Sequence, residues 1–151
     1  MIKILMVCLG NICRSPLAEG ILRSKLSDER FIVESAGTSN FHSGSSPDQR
    51  SIQIAKKYNI DISEQKSRVF NSYDFETFDY IFVMDFANYN DIVKLAKDQS
   101  EIDKVKLILD YPNSSMSEVP DPYFGGNEGF KKVFTLINNA CDYHSKKLLS
   151  I

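Results

Sequence analysis

The sequence predicts an α/β fold in which a parallel sheet is covered by helices on both faces. Short apolar runs alternate with stretches of helical period in the order βαβαβαβα. The runs are apolar throughout rather than at every second position, as strands buried on both sides are. The chain has 151 residues, 42% of them hydrophobic and 25% charged, which suits one domain, residues 1–151, with a sizeable core.

Residues 2–7 read as a continuous apolar strand. The run is short and leads straight into Gly10-Asn11-Ile12-Cys13-Arg14 with no small-residue cleavage site, which separates it from a signal peptide. Residues 16–26 form a helix, with Pro16 in its first turn and Leu17, Ile21 and Leu22 at helical spacing. A second strand follows over 31–34 and a second helix over 47–58. The third strand, 80–84, is flanked by Asp79 and Asp85, and a helix over 88–97 comes after it. A fourth strand covers 105–109. From Gly129 onward, Phe130, Val133, Phe134, Ile137, Ala140 and Cys141 recur on one helical face. Segments 38–47 and 113–129 are rich in loop formers and read as long functional loops. In open sheets of this kind, ligands bind beyond the carboxyl ends of the strands. The right-handed crossover rule brings the loops after the first three strands to that edge.

Charge narrows the function. With 18 Lys and Arg against 20 Asp and Glu, the net charge is -2 and the pI about 5.7. No overall cationic field draws the molecule to nucleic acid or anionic lipid, so any anion must be held by a local site. No apolar run approaches the roughly 18 residues of a membrane-spanning helix. Three cysteines, an odd number and too few for a disulfide scaffold, suit a reducing, cytoplasmic setting.

That local site is the segment Cys8-Leu9-Gly10-Asn11-Ile12-Cys13-Arg14-Ser15. It places a thiol where the first strand ends and a guanidinium six positions on, just before a helix. Loop N–H groups curled around a tetrahedral anion point inward, and the positive end of the helix dipole adds to them. Gly10 and Asn11 are residue types that tolerate the left-handed backbone such curling needs. Arg14 offers a planar fork for two phosphate oxygens. The same field favours thiolate at Cys8, and Ser15 is placed to donate to the sulfur, or to cap the helix.

This run, followed by Pro16, Ala18 and Glu19, closely resembles the phosphate loop of the low-molecular-weight protein tyrosine phosphatases. Ser35-Ala36-Gly37-Thr38-Ser39, Phe78-Asp79-Tyr80-Ile81 with Met84-Asp85, and Asp121-Pro122-Tyr123 resemble that family's other motifs in the same order. The resemblance implies a three-layer αβα fold with a four-stranded parallel sheet, a cysteinyl-phosphate intermediate, and neither cofactor nor metal. It makes Cys8 the nucleophile, Arg14 the phosphate clamp and Asp121 the general acid. A phenolate leaves poorly near neutral pH, which independently calls for a proton donor. Pro120 and Pro122 restrict the backbone around that aspartate. The resemblance also implies Asn11 and Ser35 as supports of the loop, and Leu9, Phe41, Tyr123 and Phe124 as walls of an aromatic slot. The implied substrate is a phosphotyrosine protein or a small aryl phosphate, and the expected oligomeric state a monomer or weak dimer.

Departures stand out too. Gln65 takes a position where many relatives carry histidine, and it cannot titrate. Tyr123-Phe124 replaces a pair of tyrosines, which removes the second hydroxyl as a phosphorylation site. Cys13 either traps an oxidised Cys8 as a disulfide or packs as a plain thiol under the loop. His42 and His144 lack ligand spacing to any cysteine, so no metal site is expected. Two other functions fit the same loop. Arsenate reduction needs a further cysteine pair, and no cysteine lies between Cys13 and Cys141. A phosphocarrier gains nothing from an acid at Asp121 that hastens hydrolysis.

Overall fold

A computed structural model describes all 151 residues. Four parallel strands, β1 (Ile2–Cys8), β2 (Phe31–Gly37), β3 (Tyr80–Val83) and β4 (Val105–Leu107), form one sheet in the order β2-β1-β3-β4. Strand β1 pairs with β2 from Ile2 opposite Phe31 to Cys8 opposite Gly37, and with β3 from Ile4 opposite Tyr80 to Val7 opposite Val83. The strand order reverses across β1, and at such a switch point the loops leaving neighbouring strands splay apart and open a crevice. Cys8 ends the strand that borders it.

Six helices accompany the sheet: α1 (Arg14–Lys25), α2 (Gln49–Lys57), α3 (Asp74–Thr77), α4 (Phe86–Val93), α5 (Gln99–Ile102) and α6 (Gly126–Leu149). Alternate side chains of β1 enter opposite cores, because successive Cβ atoms of a strand point to opposite faces. Ile4, Met6 and Cys8 pack with Leu17 and Ile21 of α1, Ile54 of α2 and Val133, Phe134 and Ile137 of α6. Leu5 and Val7 pack with Phe75 of α3, Phe78, Val83 and Ile92 of α4. Ile4, Leu5, Met6 and Val7 are fully buried, which accounts for the unbroken apolar run in the sequence. The expected three layers are thus present. No helix is long and apolar enough to cross a membrane.

Several boundaries differ from expectation for local reasons. Helix α1 starts at Arg14, so Pro16 is its third residue, still within the turn whose N–H groups need no intrahelical partner. Helix α4 starts two residues early because the Asp85 carboxylate accepts the Asn88 N–H at 2.8 Å and fixes the first turn. Strand β2 runs on to Gly37, β4 stops at Leu107, and α6 begins at Gly126. The single-turn helices α3 and α5 have four residues each, too few for any period to register.

Candidate active site

The loop after β1 curls because its backbone is tied from three sides. Thr38 N–H donates to Cys8 O at 2.9 Å, Ser39 N–H to Leu9 O at 3.0 Å, and Asp48 N–H to Ile12 O at 2.8 Å. Asn11 takes the left-handed conformation, with φ at 55°. Gly10 does not, contrary to expectation. It is small for another reason, since a Cβ there would lie 3.0 Å from the His42 ring. Gly37, beneath the loop, has a stronger requirement: its Cβ would sit 2.8 Å from Leu9 O.

Asn11 also anchors the loop from below. Its Nδ2 donates to Ser15 Oγ at 2.7 Å and Ser35 Oγ at 3.0 Å, and its Oδ1 accepts the Arg68 N–H at 3.1 Å. Ser35 Oγ in turn donates to Glu19 Oε1 at 2.7 Å. Ser15 Oγ lies 3.0 Å from Cys8 Sγ and 3.5 Å from Ala36 O. The hydroxyl accepts from Asn11 and has one proton to give, with Cys8 Sγ the nearer of its two acceptors and either atom of the Ser15–Cys8 pair able to donate. Ser15 is the second residue of α1, and the cap position belongs to Cys13, which makes no side-chain cap bond. Of the two uses read for Ser15, the geometry realises the contact with sulfur.

Arg14 is 2% exposed. Its Nη1 donates to Asp85 Oδ2 at 2.7 Å and to Val119 O at 2.9 Å, while Nη2 makes only a 3.8 Å approach to Asp121 Oδ2. One edge of the fork is locked, and the other makes no bond within hydrogen-bonding distance. Burial alone would lower the pKa of this guanidinium. The nearby Cys8, the bond and charge of Asp85, and Asp121 outweigh it and hold the pKa above its ordinary value.

Cys8, Leu9, Cys13 and Arg14 share a pocket of about 390 Å3 with Phe41, Asp121, Tyr123 and Phe124. The proposed thiol, clamp, acid and all four slot residues therefore meet at one cavity. Ile12, Ser39 and His42 also line it. Asp121 is held by its own turn, its Oδ1 accepting the Tyr123 N–H at 3.0 Å. A larger cavity of about 620 Å3, lined by Glu19, Arg23, Asp28, Asp61, Glu64 and Gln65 among others, contains no residue of the loop.

The remaining candidates have plainer surroundings. Cys13 is buried, and burial, Asp48 and Cys8 push its thiol up to about 12. Gln65 Nε2 donates to Pro16 O at 3.1 Å and so pins the first turn of α1. His144 is buried against Ile108 O at 2.7 Å, and burial lowers its pKa. Cys141 is fully buried in the core. No group of three or more His, Cys, Asp or Glu side chains is placed to hold a metal ion.

Sequence reasoning missed several supports. Asp85 was visible as an acid at a strand end, the usual place for a ligand-side residue, and within the Met84-Asp85 motif, but its bond to Arg14 was not read. Ser67, whose hydroxyl donates to Gly10 O at 3.0 Å, and Arg68, paired with Asp74 through both guanidinium nitrogens, carry no local signal at all.

The family model of the low molecular weight phosphotyrosine protein phosphatases matches residues 3–150. A low molecular weight phosphotyrosine protein phosphatase of Schizosaccharomyces pombe is 41% identical over 135 residues, covering 85% of each chain. Among solved structures, a protein tyrosine phosphatase of Entamoeba histolytica superposes with a TM-score of 0.93 at 36% identity, over 99% of this chain and 98% of that one. Wzb of Vibrio vulnificus, solved in complex with benzylphosphonate, gives a TM-score of 0.87 at 30% identity, over 97% of this chain and 98% of the other.

Proposed function

The chain belongs to the low molecular weight phosphotyrosine protein phosphatases and is a phosphatase, and from that premise we propose that it hydrolyses aryl phosphate monoesters, phosphotyrosine included, through a phosphorylated Cys8. The Cys8 thiolate attacks phosphorus in line with the ester oxygen, forming the S–P bond as the P–O bond breaks. The leaving phenolate takes its proton from the Asp121 carboxyl group. Loop N–H groups and the free edge of Arg14 hold the other three oxygens as charge builds on them. Asp121, now a carboxylate, then takes a proton from water while the water oxygen attacks phosphorus. The S–P bond breaks, phosphate leaves, and the Ser15 hydroxyl bonds to the departing thiolate.

The observation that carries this reading is that Cys8 and Asp121 line one pocket, with Arg14 Nη2 3.8 Å from Asp121 Oδ2. A carrier would have no use for that carboxylate. Benzylphosphonate bound to Wzb of Vibrio vulnificus supports an aryl group on the substrate, and Leu9, Phe41, Tyr123 and Phe124 supply apolar walls to meet it. The test is rapid mixing with an aryl phosphate. A burst of phenol followed by steady turnover is expected, and Cys8→Ser should abolish both. Release that stops at one equivalent would identify a carrier instead.

A further inference from the structure

We infer that Arg50, which does not line the pocket, is a positioning residue that braces the acid-bearing segment against the phosphate loop. The inference rests on the reading of Asp121 as general acid. Arg50 is the second residue of α2, and its Nε and Nη2 each lie 3.0 Å from one oxygen of Asp48. This two-point bond fixes the plane of the guanidinium. Its carbon then stands 4.5 Å from the ring centre of Phe130 and 5.6 Å from that of Tyr123, within the range of cation–π attraction.

The partners at either end make this a strut. Asp48 is joined to the phosphate loop through its own N–H, which donates to Ile12 O at 2.8 Å. Phe130 is 1% exposed, an anchored surface on α6. Tyr123 belongs to the acid segment, and its N–H holds Asp121 Oδ1 at 3.0 Å. A continuous path thus runs from Ile12 through Asp48, Arg50 and Tyr123 to the carboxyl group that meets the leaving oxygen. The segment has few other ties. Its start is tied where Val119 N–H donates to Met84 O, Val119 O accepts from Arg14 Nη1 and Glu118 accepts the Phe86 N–H, but past Val119 the one backbone bond is internal, from Gly125 N–H to Pro122 O. Only a planar, two-edged cation grips a carboxylate while lying against two rings, which is why arginine suits the position better than lysine.

A residue acting through Asp121 must weaken proton donation more than phosphate binding. The experiment measures kcat/KM for phenyl phosphate, a poor leaving group, and 4-nitrophenyl phosphate, a good one, with inhibition by inorganic phosphate and melting temperature alongside. Arg50→Gln and Arg50→Met are expected to slow phenyl phosphate about tenfold more than 4-nitrophenyl phosphate. Inhibition by phosphate, which reads the loop alone, should stay within about twofold, and Arg50→Lys should recover part of the loss. In an Asp121→Asn background, Arg50→Gln should add no loss that depends on the leaving group.

Equal slowing of both esters, or weaker phosphate inhibition in step with the slowing, overturns the role of Arg50. If Arg50→Gln does not fold, the same comparison in Arg50→Lys decides the matter. Failure of the underlying reading is distinguishable: Asp121→Asn alone would then slow both esters alike.

Discussion

The two walls of the pocket are built differently. On the phosphate-loop side, Asn11, Arg14 and Ser15 are at most 2% exposed and joined to one another or to β2, α4 and the 67–70 segment by hydrogen bonds. On the facing rim, Phe41 is 83% and Phe124 96% exposed, and Asp121 keeps only its turn bond and the long approach to Arg14. On the proposed function, the contrast follows from what each wall would meet. A phosphoryl group has the same shape and charge in every substrate, so donors preset in a water-poor site gain most from rigidity. The group bearing the ester oxygen varies, and an exposed apolar rim accommodates variation at little cost to the fold.

The contrast is tested hardest at Arg14. Lysine keeps the charge but cannot hold Asp85, Val119 O and two phosphate oxygens at once. Arg14→Lys is expected to lower kcat/KM by about 10³, near the upper range for losing a preset transition-state donor. Steady-state kinetics with an aryl phosphate measures it. Activity near wild type would mean that charge alone suffices and that the rigidity of this wall is incidental.

Asn11→Ala probes the same wall from beneath. It removes two donated bonds and one accepted bond, and it leaves a residue with a Cβ at φ 55° without the side chain that compensates. Stability should fall by about 2–4 kcal/mol, read from urea unfolding. The turnover number should fall about 10–100-fold through misplacement of the loop. Phe124→Ala is the counterpart on the rim. Its stability should stay within about 0.5 kcal/mol of wild type. KM for a phosphotyrosine peptide should rise only a few-fold, about 1 kcal/mol, with inhibition by inorganic phosphate unchanged. A large loss of stability in Phe124→Ala would erase the distinction between the walls.

The rigid wall was also the more legible one. Cys8, Arg14 and Ser15 sit within eight consecutive residues, and their chemistry depends on local curling that the sequence itself specifies. Asp121 was readable only through its proline-framed motif, because nothing local says that residue 121 returns to face residue 8. The pairing of Asp85 with Arg14 and of Arg50 with the Tyr123 and Phe130 rings spans strands and helices, and it is set by sheet order and by the docking of α2 and α6. The strands were readable because burial on both faces leaves a continuous apolar run. The turns α3 and α5 were not, since one turn of helix has no period. Gly10 was assigned the right size for the wrong cause: the constraint is a neighbouring ring rather than a dihedral angle.

The smallest expected effect concerns what the rigid wall costs. Glu19 is buried below Ser35, and its pKa is raised mainly by burial, with the Ser35 bond and Arg23 opposing. A folded pKa above the unfolded one means the folded state binds the proton more tightly. The contribution is therefore fully present below the ordinary glutamate pKa of about 4.3 and is lost as pH rises through the raised folded value. Glu19→Gln does not titrate, and its amide oxygen still accepts from Ser35. The stability of the variant relative to wild type should consequently improve as pH climbs through that window, measured by urea unfolding at a series of pH values from about 4 to 7. A difference independent of pH would show that the carboxylate is held without penalty. A rising one means the phosphate loop rests on a group that opposes folding at neutral pH, as expected if Glu19 and Ser35 serve to place Asn11 rather than to stabilise the chain.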